Sequence, residues 1–148
     1  MLRRLIKASA LVVGVGLLAA ACSPVKMGAA AIVGNQRITI ATLDTEVTNL
    51  NQAVKLYPGI VSLTQAQATQ ATLTWLIRYQ VQEELAKQAG ITVSTAQAQA
   101  ALASAYAGAK ANAEAQGLTN VSLNLILAAS GIPPNTAGEF ARFEAIET

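Results

Sequence analysis

Beside its hydroxyls, this chain of 148 residues offers eight side-chain carboxylates, ten cations and one thiol to acid–base, nucleophilic or metal chemistry, and it has no imidazole. Without histidine, neither a serine or cysteine triad nor a histidine metal site can be assembled in its usual form. The acids are Asp44, Glu46, Glu83, Glu84, Glu114, Glu139, Glu144 and Glu147. Asp44 and Glu46 stand two apart and Glu83 and Glu84 are adjacent, spacings that point helical side chains in different directions. None makes a convincing acid/base pair. They read as solvated helix charges, with Asp44 and Glu139 assisting helix N-termini. The glycines form no phosphate loop, since no Gly-x-Gly-x-x-Gly or Gly-Lys-Ser follows a strand. The chain is therefore read as a non-enzyme, with no cofactor and no metal.

The single thiol, Cys22, has a position that explains it. Met1 to Lys7 is short and cationic, and Ala8 to Ala21 is an uncharged run too short for a stable membrane span. This is the order of a secretory signal peptide. Ala19 and Ala21 are the small residues a signal peptidase needs, so cleavage falls before Cys22 and makes it the first residue of the mature chain. LLAAACS is similar to a bacterial lipobox, in which that cysteine carries diacylglycerol; Ala19 stands where such boxes usually have leucine. An ordinary secretory cut would instead leave a free thiol in an oxidising compartment, and an uncut segment would be a signal anchor. Arg3 and Arg4 carry only a weak hint of a twin-arginine signal. Lipidation places the protein on the extracytoplasmic face of the cell membrane. Residues 22–28 become the lipid-anchored tether, since SPVKMG has little to pack.

Losing Arg3, Arg4 and Lys7 with the signal turns the net charge from +2 to −1. The seven remaining cations are scattered singly, so no electrostatic footprint for nucleic acid is left. The mature chain is long enough to bury on the order of 65% of its surface as one domain.

Glycines punctuate that domain. Gly59-Ile60, Gly90-Ile91, Gly117-Leu118 and Gly131-Ile132 each set a glycine before a branched apolar residue, the pattern of a left-handed helix C-cap with a hydrophobic latch. Thr64 with Gln67, Ser94 with Gln97, and Thr136 with Glu139 have capping-box spacing. The signals predict helices over about 42–57, 65–89, 95–116 and 122–130, with a last one from Ala137. The third segment, AQAQAALASAYAGAKANAEAQG, alternates with period two, as a strand would. Alanine favours helix and the segment has no β-branched residue, so propensity overrules the alternation. Gly108 inside it costs about 1 kcal/mol relative to alanine, which close packing against another helix would offset. Before the first helix, AAAIVGNQRITI places two apolar runs around Gly34-Asn35-Gln36, the outline of a β-hairpin that must lean on helices.

AAIVGNQRITIATLDTEV, GITVSTAQAQAAL and LILAASGIPPNTAGEFARFEAI resemble the SurA-type chaperone N-terminal domain, here behind a lipobox as in small actinobacterial lipoproteins. Ala41 departs from the serine or threonine that caps the first helix in relatives, leaving Thr39 or Thr42 as substitutes. Many relatives continue into a parvulin-type prolyl isomerase domain, whereas this sequence stops at Thr148 within its last helix. The expected fold is mainly α: about five helices with a short N-terminal strand or hairpin over 29–148, preceded by the signal-peptide helix over 1–21.

In the second helix Leu73, Ile77, Val81 and Leu85 make a four-spaced stripe, read as the core seam, while Trp75, Leu76 and Tyr79 lie on roughly the opposite side. The plain reading packs the aromatic pair under the hairpin or the last helix. The resemblance implies an alternative, a shallow groove formed by Trp75, Leu76 and Tyr79 with Phe140 and Phe143, holding unfolded or newly exported proteins without catalysis. A second functional class is an adaptor docking to one partner, such as a separately encoded isomerase or an envelope complex.

Overall fold

The computed structural model describes residues 28–148; the signal segment, Cys22 and all of the tether before Gly28 lie outside the described residues. The chain enters through an antiparallel hairpin, β1 (Ala29–Val33) and β2 (Gln36–Thr39), paired Ile32 with Arg37 and Val33 with Gln36. Gly34 takes φ +55° at the first turn position, which a side chain would resist. The hairpin leans on the helices as expected, sending Ile38 into the core.

Helix α1 (Ile40–Lys55) begins two residues earlier than predicted, because Thr39 rather than residue 41 caps it, its hydroxyl accepting from the Thr42 amide at 2.9 Å. Asp44 therefore lies beyond the first turn and does not assist the N-terminus. The helix also stops short of Gly59, since Pro58 bars Tyr57 from helical geometry. Helix α2 (Gln65–Gln88) and helix α3 (Thr95–Ala115) carry the two predicted capping boxes, Thr64 with Gln67 and Ser94 with Gln97. Helix α4 (Leu123–Ala129) is capped by Ser122, whose hydroxyl also pairs with that of Tyr57 at 3.0 Å. Three helices close alike: the amides of Ile91, Leu118 and Ile132 reach back to Ala86, Ala113 and Leu127 at 2.8–3.1 Å across a left-handed glycine.

One turn of 3-10 helix, Pro134–Thr136, leads into α5 (Ala137–Glu147). The third predicted capping box is absent. Thr136 donates its hydroxyl to the Pro133 carbonyl at 2.8 Å and accepts from the Trp75 indole at 3.1 Å, and its backbone, at φ −91° and ψ 18°, lacks the extended geometry of a capping residue. The core gathers Ile38, Leu43, Val47, Leu50, Ala68, Trp75, Leu76, Ala128 and Phe143 from the hairpin and four helices.

Candidate functional site

Two of the carboxylates, Glu83 and Glu46, act as struts between elements. Glu83 on α2 accepts two hydrogen bonds from the Arg142 guanidinium on α5, both 3.1 Å. Glu46 on α1 accepts from Asn135 at 2.8 Å and from Asn49 at 3.3 Å. Glu139 also feels Glu46: burial first, then that neighbouring charge, raises its carboxyl above the ordinary value. Among the described residues no group of three or more acid or thiol side chains could hold a metal.

The five aromatic and aliphatic candidates come together, but inside. Trp75 is 4% exposed, Phe143 and Leu76 are buried, and Tyr79 and Phe140 are partly buried. Ring centroids lie 5.9 Å from Trp75 for Tyr79 and Phe140 and 5.4 Å for Phe143, offset or tilted as aromatic quadrupoles prefer. Arg78 sits over the Phe143 ring, 5.2 Å from its centroid. Burial, then the Glu83 and Glu139 charges, raises the Tyr79 hydroxyl pKa against the opposing pull of Arg142. An open groove floored by Trp75, Leu76 and Phe143 is thus corrected to a packed α2–α5 seam.

The stripe read as the core seam is correspondingly displaced. Leu73 and Ile77 pack at the core margin, but Val81 is 40% exposed and Leu85 59% exposed. α2 is about 36 Å long and α1 about 24 Å, so the last turns of α2 have the hairpin on one side, where Gly34 approaches Glu84, and α5 on another. Between them Ile77, Val81, Leu85 and the edge of Phe143 line a shallow open depression of about 410 Å³, rimmed by Arg78, Gln82 and Glu147. Sequence reasoning named this stripe but turned its C-terminal half, Val81 and Leu85, inward.

Comparison of family models with the chain matches residues 4–134 to the SurA-like N-terminal domain. The chain belongs to this family. No curated protein and no solved structure matches it. A SurA-like domain is of the chaperone type, and the helical architecture with its small N-terminal sheet agrees with that membership. Among the described residues, the Val81–Leu85 end of α2 is one of the apolar surfaces the fold leaves uncovered.

Proposed function

We propose that the protein is a lipid-anchored extracytoplasmic chaperone-like protein, held at the membrane through Cys22, that shields apolar stretches of unfolded or newly exported chains without catalysis. The observation that carries the binding reading is the exposed pair Val81 and Leu85, continuing the partly buried Ile77 as one stripe, in a chaperone-type domain. Isolated exposed apolar residues are ordinary, but a stripe set in a depression with a polar rim is a surface suited to covering another chain. Its floor offers few polar readers, so affinity is modest and selectivity low. The lipobox-like LLAAACS supports the anchor, because two acyl chains hold a protein stably where one is marginal.

The test is aggregation suppression by the chain purified from Ser23 onward, with several unrelated unfolded clients. Val81→Gln with Leu85→Gln is expected to abolish protection while moving stability little, since exposed substitutions stay within about 0.5 kcal/mol each. Undiminished protection by the double variant would remove the stripe from the mechanism. Failure to protect any client, with one tight partner recovered, supports the adaptor role instead. Anchoring is tested separately: mass spectrometry of the mature N-terminus should find diacylglycerol on Cys22, and Cys22→Ala should leave the protein unprocessed or released from the membrane.

A further inference from the structure

Arg78 stands in the middle of one face of α2. Ala71, Thr74, Arg78, Gln82 and Leu85 follow one another at three- and four-residue steps, beside the side of α5 that carries Phe143 and Glu147. Two depressions lie along this face. One is the shallow space of about 410 Å³ at Val81 and Leu85. The other, of about 270 Å³, is bounded by Ala71, Ser130, Ile132 and the margins of Trp75 and Phe140. Arg78, Phe143 and Glu147 border both. Phe143 is thus a shared floor, and the Arg78 guanidinium, 5.2 Å above its centroid, stands between the two spaces.

Little holds it there. Arg78 is exposed and makes no ion pair among the described residues, whereas Arg142, the other arginine of the seam, is pinned by two hydrogen bonds to Glu83. A cation over a ring at an exposed site is a weak contact. Glu144 and Glu147, three apart on α5, offer the guanidinium a second seat at the edge of the same spaces. Burial, then Glu147, raises the Glu144 carboxyl above its ordinary value, with Arg78 pulling the other way, so these crowded carboxylates gain from a closer cation. An exposed ion pair is worth about as little as an exposed cation–π contact. The two seats therefore lie close in free energy.

We propose that Arg78 is a movable partition: when an apolar side chain of a bound polypeptide arrives, the guanidinium leaves Phe143 for Glu144 and Glu147, the guest takes its place on the ring, and the two depressions join into one groove. The proposal rests on the client-binding reading above and extends its site from the exposed stripe to the Phe143 face. From Ile77 to Leu85 is eight residue steps, about 12 Å of helix, which covers some three or four residues of extended chain. From Ala71 to Leu85 is fourteen steps, about 21 Å, which covers about six. The partition thus decides how long a segment the site can shield.

The test uses N-phenyl-1-naphthylamine, an uncharged aromatic dye, with the mature chain from Ser23 onward, so it depends on no client. In the free protein the Phe143 ring current should shift the side-chain resonances of Arg78. Dye that shows nuclear Overhauser contacts to the Val81 and Leu85 methyl groups should return those resonances to ordinary values and gain contacts to the Phe143 ring. Arg78→Gln should bind the dye about two- to fivefold tighter, the worth of the displaced contact. Glu144→Gln with Glu147→Gln should weaken binding about two- to fivefold when Arg78 is present and leave Arg78→Gln unaffected. Mere loss of charge beside an apolar groove would tighten both. Dye on the stripe with Arg78 still over the ring overturns the proposal, and so does dye that never reaches the stripe. The expected dye response in a protein that suppresses no aggregation supports the partition and removes the client reading; suppression with Arg78 unmoved by the dye keeps the client reading and removes the partition.

Discussion

Trp75→Ala is the substitution that separates a core from a client groove. The indole is buried against Tyr79, Phe140 and Phe143, and its N–H is the donor to Thr136. Removing a packed tryptophan costs about 3–5 kcal/mol. Losing the Thr136 hydrogen bond adds about 1 kcal/mol at most, because that hydroxyl keeps its own donation to Pro133. A domain of this size melts roughly 3–5 °C lower per kcal/mol, so the fall should be on the order of 10–20 °C. Thermal unfolding followed by far-ultraviolet circular dichroism measures it. Trp75→Phe supplies the internal control: it keeps a ring in the stack and loses the N–H, and should cost about 1–2 kcal/mol. A Trp75→Ala protein melting within a few degrees of the parent would refute the packed seam. Equal loss from alanine and phenylalanine would show that the hydrogen bond, not ring packing, dominates there.

Gly131→Ala should be costly for its size. The residue sits at φ +72° and its new Cβ would lie 2.6 Å from that of Ala71, so strain and a forced shift of α4 should together lower stability by about 2–4 kcal/mol, read from urea unfolding. Thr72 is fully buried with an unpartnered hydroxyl, and Thr72→Val should raise stability by about 1 kcal/mol, measured the same way. Glu139 and Glu144 both have carboxyl pKa values raised by burial first and a neighbouring glutamate second. A raised folded pKa means the folded state takes up protons before the unfolded one, so their penalty is present at neutral pH and is relieved as pH falls through the folded values toward the ordinary 4.5. The melting temperature of Glu139→Gln at pH 7 should therefore exceed the parent's, and the gap should close on acidification.

Local chemistry was legible and long-range choice was not. Thr64 with Gln67 and Ser94 with Gln97 announce their helices because a capping box is satisfied within four residues, and three of the Gly-Ile or Gly-Leu pairs close helices for the same local reason. The alternation in α3 misleads only if alanine is treated as a strand former. By contrast, Thr136 lost its capping role to a residue 61 positions away. The orientation of α2 likewise hung on α5, since either stripe could have faced a core until Phe140 and Phe143 arrived. The pairing of Glu46 with Asn135, 89 positions apart, has no sequence signature at all.

The alanine that makes α3 a helix also limits how firmly it is held. Of its 21 residues only Ala98 is buried, and it meets α5 largely through Ala137, Gly138 and Ala141 around a space of about 320 Å³. Small side chains allow the two helices to approach closely while removing little apolar area from water, so the contact is near in distance and slight in free energy. Beyond it, the Tyr106 hydroxyl donating to the Val121 carbonyl at 2.9 Å is the main clasp. Backbone amides of α3 should then exchange with solvent through a partial opening far shallower than global unfolding, while those of α2 around Thr72 and Trp75 wait for the whole domain to come apart. The molecule thus has a slow half and a fast half in time, although it has a single core in space.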